Sequence, residues 1–282
     1  MHNLPSIFDV PYVNSVLHPS DFSPASEKAF AHALLVALRR KTRFTVLHVG
    51  SSEDIWTKFP AVRSTLEKWG LLEKGSPRSA VFKELSLNVE KIGIKGHNPV
   101  KAVLDFLEES PTDLIVLATE GRDGMPRWMK RSIAEQIAQK SESMTLFVPA
   151  EGRGFVSSKD GNVSLSRILI PVDQKPSPKL AIEYAKRTAG LAKKRVETIL
   201  MHVGQNDFSN LELPKDKAVK WRWEHKQGDV VETIIETAET NQVDLIIMST
   251  AGHEGFLDAF RGSITEQVLR RSSCPLLAVP VR

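Results

Sequence analysis

Residues 243–265 read VDLIIMSTAGHEGFLDAFRGSIT and combine a short apolar run, a loop with two glycines and a helix start. The run LIIM has the length and composition of a buried strand. Gly252 and Gly255 mark the loop, and Gly262 with Ser263 opens the helix. Because glycine has no Cβ, such a loop beside free helix amides lets a phosphate approach the backbone closely. The pattern predicts either a phosphate-binding loop or a plain flexible turn, so other features must decide.

Length and composition indicate a globular protein with two domains. The chain has 282 residues, 41% hydrophobic and 26% charged, which is enough for two buried cores. Its net charge is +4, but Lys and Arg are interspersed with Asp and Glu, and the nearest candidate for a basic patch, Arg127–Arg131, is short. We therefore expect a solvated surface and no nucleic-acid partner. Cys274 is the only cysteine, which excludes an intrachain disulfide and a cysteine-rich zinc site.

The first residues and the apolar segments predict neither a signal peptide nor a membrane span. Residues 1–15 (MHNLPSIFDVPYVNS) lack the basic start and long apolar run of a signal peptide, and no apolar segment approaches the length of a membrane span. We expect a cytoplasmic protein without a membrane partner.

The order of motifs in the first half recurs in the second half. Strands and helices alternate in both, which favours a mostly parallel α/β sheet with helices on both faces. In such a sheet, ligands bind at the carboxyl ends of the strands, where the connections diverge. Two copies of domain length indicate a tandem duplication and not a solenoid. The matching segments are 16–21 and 167–173 (VLHPSD, RILIPVD), 45–50 and 199–204 (TVLHVG, ILMHVG), 113–124 and 244–255 (DLIVLATEGRDG, DLIIMSTAGHEG), and 134–137 and 265–268 (AEQI, TEQV).

Helix starts are predicted where a capping side chain precedes a proline. Ser23-Pro24 and Asn98-Pro99 fit this pattern, and Ser177-Pro178 is the counterpart of Ser23-Pro24 in the second half. One or two further helices are predicted within residues 56–72.

The predicted domains are residues 1–150 and 167–282. Residues 151–166, rich in Gly, Ser and charge, are predicted to be a linker. In the second domain only a polar stretch (QNDFSNLELPKDK) follows the second strand, so the helix expected there is missing or short. Trp221 and Trp223 alternate with charged residues, which is typical of a strand with one apolar face.

With Pro171–Asp173, Met201–Val203 and the loop at Gly252 in one copy, the sequence resembles the universal stress protein family in its tandem two-domain form. The resemblance covers almost the whole chain. It implies a Rossmann-like, doubly wound, five-stranded parallel sheet in each domain and, as in many members, an ATP site.

The resemblance also implies which residues of the second domain hold the nucleotide. Asp173 and Val203 would flank the adenosine portion, the glycine loop would line the ribose and phosphates, and the start of the last helix would bind phosphate. Arg261 is either a charge-assisted phosphate contact or a solvated surface arginine. The implied cofactor is ATP, with Mg²⁺ as a further candidate, in the second domain only. The predicted nucleotide-binding set is Pro171, Asp173, Val203, Gly252, Gly255, Arg261, Gly262, Ser263, Ile264 and Thr265.

Both copies depart from the nucleotide-binding pattern of the family. In the second domain, six residues (FLDAFR) separate Gly255 from Gly262 where the pattern has nine, so the loop is shortened. In the first domain, Arg131 stands where the pattern has glycine, which threatens both the backbone geometry and the space for phosphate. We expect this degenerate first site not to bind ATP in the family manner; its residues are Asp21, Val49, Gly121, Gly124 and Ser132.

No catalytic set and no metal site is predicted. Glu254 and Asp258 are the only acids near the glycine loop, and a hydrolase needs a residue that orients water and usually a metal carboxylate. His202, His225 and His253 lack a local metal-binding spacing. Weak ATP hydrolysis stays open.

The sequence therefore predicts a nucleotide-binding regulator or sensor of the stress response. The alternatives are an interaction scaffold without nucleotide and a slow ATPase. The resemblance further implies that the two domains pair through their last strands, Thr145–Val148 and Leu276–Val279, as an intrachain pseudo-dimer. A homodimer of two chains and the identity of protein partners are left open.

Overall fold

The structure is a computed structural model that describes residues 12–50, 55–119, 133–141, 143–205, 208, 211–251 and 263–281. Within these ranges the chain forms one ten-stranded sheet with helices on both faces. The strands of the first half are β1 (Ser15–Pro19), β2 (Arg43–Gly50), β3 (Asn88–Lys95), β4 (Leu114–Thr119) and β5 (Met144–Pro149). Those of the second half are β6 (Arg167–Pro171), β7 (Val196–Val203), β8 (Val219–Lys226), β9 (Leu245–Ala251) and β10 (Leu276–Val281).

The described helices are spread over the same two halves. They are α1 (Pro24–Arg40), α2 (Ile55–Lys58), α3 (Val62–Lys68), α4 (Ala80–Leu85), α5 (Pro99–Glu109), α6 (Ile133–Lys140), α7 (Lys179–Ala189), α8 (Val230–Thr240) and α9 (Ile264–Arg271). None of these helices is long and apolar enough to cross a membrane.

The strand order confirms the predicted pair of five-stranded parallel sheets. It runs β3-β2-β1-β4-β5-β10-β9-β6-β7-β8, and every neighbouring pair within each half is parallel. The two halves join through one antiparallel pair, β5 with β10, in which Leu146 faces Leu277 and Phe147 faces Leu276. This is the pairing through the last strands that the family resemblance implies.

The side chains of each strand alternate between two cores, one on each face of the sheet. Val16 and Ile168 belong to the core covered by α1, α3, α4 and α7. Leu17 and Leu169, one residue later, belong to the core covered by α5, α6, α8 and α9. Each half is therefore a doubly wound layer structure, as predicted.

Local capping explains where several helices begin. Ser23 caps α1 through a bond from the Ser26 amide, and Asn98 caps α5 through a bond from the Lys101 amide at 3.0 Å. Both starts are as predicted, with proline at the first helical position. At the matching place in the second half the helix begins one residue later, at Lys179, without a side-chain cap.

The two halves differ most after their second strands. Between β2 and β3 the first half contains α2, α3 and α4, of which α4 was not predicted from the sequence. Between β7 and β8 the described residues form no helix, which confirms the predicted loss in the second half.

The segment 151–166, predicted to be a linker, packs tightly against the first half. Phe155, Val156 and Leu165 are at most 4% exposed, and Val156 forms a β-bridge with Val163. The amides of Phe155 and Val156 both donate to Nε2 of His32 on α1, at 3.1 and 3.2 Å. The segment 151–166 is thus held against α1 by hydrogen bonds. We keep 1–150 and 167–282 as proposed domain limits.

Candidate functional site

A cavity of about 280 Å³ lies in the second half, at the carboxyl ends of β6, β7 and β9. In the sheet, β6 lies between β7 and β9. The chain passes from β6 to β7 on one side of β6, and β9 pairs with β6 on its other side. This is the topological switch point of a doubly wound sheet, where the diverging connections leave a crevice. The amino-terminal ends of α8 and α9 complete the wall.

Six of the predicted nucleotide-binding residues line this cavity. They are Pro171, Asp173, Val203, Ser263, Ile264 and Thr265. They come from β6, the turn after it, β7 and the start of α9, which are far apart in sequence. The other four, Gly252, Gly255, Arg261 and Gly262, lie outside the described residues.

The start of α9 lies at the cavity, and the first amides of a helix have no acceptor within the helix itself. Ser263 is the cap residue, and its Oγ accepts the amide of Glu266 at 3.1 Å. The first backbone bond of the helix is that from Gln267 to the Ser263 carbonyl, so the amides of Ile264 and Thr265 precede it. A helix start with two such amides favours a negatively charged group.

The turn after β6 carries one acidic and one basic side chain. Asp173 is exposed, and its Oδ1 accepts the amide of Gln174 at 2.7 Å, which fixes the carboxylate at the end of the strand. Lys175, two residues later, also lines the cavity and was not predicted from the sequence. Its ammonium group gives this wall a positive charge beside the carboxylate.

His202 is a further wall residue of the cavity. Its Nδ1 donates to the Val172 carbonyl at 2.9 Å, which leaves Nε2 as the other ring nitrogen. Nε2 is buried and has no hydrogen-bond partner among the described residues. Gly204 has a φ of +140°, and a Cβ there would lie 2.9 Å from this Nε2, so the conformation and the space both require glycine.

Two hydroxyl residues at the end of β9 were missed by sequence reasoning. Ser249 and Thr250 line the cavity, and their hydroxyl oxygens are buried without a partner in the described part of the chain. Unpaired buried hydroxyls are costly, and a polar ligand that offers them a partner removes that cost. One sequence signal could have pointed to Ser249: the first copy has Ala118 at the matching position, so a hydroxyl is present only in the second copy.

The first copy has a different arrangement at the matching turn. The Asp21 carboxylate accepts both the amide and the hydroxyl of Ser23, at 3.0 and 2.7 Å, and so stabilises the start of α1. The Phe22 ring stacks on His48, the counterpart of His202, with 4.0 Å between ring centroids and 14° between planes. Val49 is partly exposed at the end of β2.

Several predicted residues cannot be placed, because they lie outside the described ranges. They are Gly121, Gly124, Arg131 and Ser132 of the first copy, and Glu254 and Asp258 of the second. Within the ranges that are described, no three His, Cys, Asp or Glu side chains are grouped as metal ligands would be.

Comparisons with known proteins agree with the fold. A family model described as the universal stress protein family matches residues 13–149 and 205–280. A curated universal stress protein of Methanocaldococcus jannaschii is 31% identical over 85 residues, which are 30% of this chain and 50% of that protein. The chain thus spans half the length of this curated relative.

Two solved structures match nearly the whole chain. A universal stress protein from Archaeoglobus fulgidus superposes with a TM-score of 0.60 at 19% identity, covering 95% of this chain and 96% of that chain. A putative universal stress protein from Pseudomonas aeruginosa gives 0.63 at 13% identity, covering 95% and 93%. At these identities the likeness concerns the fold alone.

Proposed function

The chain belongs to the universal stress protein family, and on that premise we propose that its second domain binds an adenine nucleotide and that the protein acts in the cytoplasm as a regulator or sensor of the stress response. The observation that carries this proposal is the cavity at the carboxyl ends of β6, β7 and β9. It collects six of the residues that the family resemblance assigns to nucleotide binding.

The wall chemistry supports a nucleoside with an attached anion. Val203, Val230, Ile234 and Met248 supply an apolar surface, which suits the face of an adenine ring. The hydroxyls of Ser249 and Thr250 can bond polar atoms of the ligand. The amides at the start of α9 and the Lys175 ammonium favour the phosphates.

The rival proposal is an interaction scaffold that binds no nucleotide. It is favoured by the shortened loop between Gly255 and Gly262, six residues long where the family pattern has nine. A slow ATPase has less support, since its only acids near the glycine loop are Glu254 and Asp258.

The two copies of the repeat provide a matched test. We would titrate the full chain with ATP, with and without Mg²⁺, by calorimetry, and compare Asp173→Ala with Asp21→Ala. We expect about one nucleotide per chain. Loss of a carboxylate that accepts ligand hydrogen bonds should weaken binding by about tenfold in Asp173→Ala.

Asp21→Ala is the control, because its carboxylate is engaged with Ser23. It should bind ATP as the parent chain does. Absence of binding in the parent, or equal losses in both variants, would contradict the proposal and favour the scaffold.

A further inference from the structure

A second and larger hollow lies at the outer edge of the first domain. It has a volume of about 710 Å³ and is formed by α3, α4 and the beginning of β3, the edge strand of the sheet. We call it the edge groove. The described part of the second domain has no helices between β7 and β8, so α3 and α4 have no counterpart there. The groove is therefore separate from the cavity beside α9.

Apolar side chains form both the floor and the rim of the edge groove. Val62, Val81 and Leu87 line it and are at most 7% exposed. Trp56 and Phe82, from α2 and α4, also line it, yet they are 61% and 64% exposed. Two large aromatic rings left in water beside one hollow mark a surface that can bury apolar area on binding.

Two basic side chains line the edge groove in addition to Arg63. Arg78 and Lys91 line it, and neither forms an ion pair with a carboxylate in the part of the chain that the structure describes. Lys91 instead lies with its Nζ 5.9 Å from the centroid of the Phe59 ring. Burial, together with the charge of Arg78, lowers the pKa of Lys91. The third cation, Arg63, is already paired with Glu67 at 3.4 Å.

We propose that the edge groove binds a small aromatic molecule that carries a phosphate or carboxylate group. The ring of such a ligand packs against Trp56 and Phe82, and its anion lies between Arg78 and Lys91 and relieves their mutual repulsion. The volume fits one compact organic molecule.

The test uses the full chain and three matched probes in calorimetric titrations. 1-Naphthyl phosphate and 1-naphthoate carry the same ring with the two candidate anions, and 1-naphthol carries no charge. We expect at least one of the anions to bind and 1-naphthol to bind about tenfold more weakly, as loss of charge-assisted hydrogen bonds implies. The stronger anion identifies the preferred group. Equal affinity for all three probes, or no binding of either anion, would overturn the proposal.

Variants then locate the binding site. Arg78→Gln and Lys91→Gln should each weaken the preferred anion about tenfold, and Phe82→Ala should weaken the anion and 1-naphthol alike. Lys220→Gln is the control, since Lys220 lies on β8, the edge strand of the other domain, and carries the same charge. Asp173→Ala, a change in the cavity beside α9, should leave probe binding unchanged. Loss of probe binding in Asp173→Ala, or equal effects of Lys91→Gln and Lys220→Gln, would place the probe elsewhere and refute the assignment.

Discussion

Beneath the turn between the first strand and the first helix, the two domains carry different interiors. In the first domain His18 bonds the Val116 carbonyl at 3.0 Å and Ser26 Oγ at 3.3 Å, and Ser26 in turn bonds Ser20. At the matching positions the second domain has Ile170, Val172 and Leu180.

The same contrast continues at the surface of the turn. In the first domain Phe22 covers the imidazole of His48, whereas in the second His202 lines the cavity. Two more residues, including Lys175, lengthen the turn of the second domain. A duplicated framework has thus been filled in two ways: beneath this turn the first copy has a chain of polar contacts, and the second copy has apolar side chains.

The largest expected effect is a loss of stability at low pH, caused by two buried histidines of the first domain. Burial lowers the pKa of His18 and of His32 to about 4, from an ordinary value of 6.5. Between pH 6.5 and pH 4 the unfolded chain therefore binds protons that the native chain does not, so stability falls as the pH falls. Over this pH range each histidine should lower the free energy of unfolding by about 3 kcal/mol, and the two together by about 6 kcal/mol.

Urea unfolding at several pH values measures this loss. His18→Ile introduces the residue that the second domain has at the matching position, Ile170. It should remove about half of the pH dependence of stability that the two histidines contribute. An unchanged pH dependence in that variant would mean that His18 is not the group responsible.

The second prediction tests which copy holds the nucleotide site. Val203→Trp places a large ring in the cavity wall and should weaken ATP binding about 100-fold, or roughly 2.7 kcal/mol. Val49→Trp makes the same change at the matching position of the first domain and should leave ATP binding unaltered. Calorimetry on both variants, with thermal unfolding to check their folding, compares the sites. Equal losses would show that the first copy also contributes to the site.

A third effect concerns the contact between the domains. Glu135 and Glu266 occupy matching positions of the repeat and are 3% and 5% exposed. Arg270 bonds Glu135 at 3.3 Å and also pairs with Glu266, so one guanidinium links both domains. Arg270→Ala leaves the two buried carboxylates without this cation and should lower the free energy of unfolding by about 2 kcal/mol.

The neighbouring Arg271 provides the control. It pairs with the exposed Glu232, so Arg271→Ala should change thermal unfolding much less. Similar shifts for the two variants would argue against a special role of Arg270 in joining the domains.

The smallest expected effect is the loss of a helix cap, which should destabilise the two copies equally. Asn98 and Asp229 cap α5 and α8, the helices that follow the third strands, and each accepts an amide at 3.0 Å. Replacement of either by alanine should cost about 1 kcal/mol in urea unfolding. A clear difference between the two would indicate that the domains do not depend on their caps equally.

Local signals in the sequence predicted much of this fold because they act over a few residues. Ser23-Pro24 and Asn98-Pro99 start helices through bonds three residues away, and apolar runs form the buried strands. The duplication predicted the same order of elements twice, and the family resemblance implied the β5 and β10 pairing. The weaker pattern of α4, which has two buried residues, escaped prediction.

The composition of the predicted linker does not reveal how this segment packs. Residues 151–166 are rich in Gly, Ser and charge, which is typical of a flexible connection. Phe155, Val156 and Leu165 are buried, and two amides of the segment bond His32 more than 120 residues away. A partner so distant in sequence leaves no local signal.

The sequence by itself therefore determined the doubly wound halves, their duplication and six residues that line the cavity. Only the tertiary structure decided that Lys175, His202, Ser249 and Thr250 join them, and that Trp56, Arg78 and Lys91 share an edge groove. The physical reason is that parallel register and helix packing set which distant side chains meet. Periodicity and caps fix each element, but the neighbours of that element follow from the packing of the whole sheet.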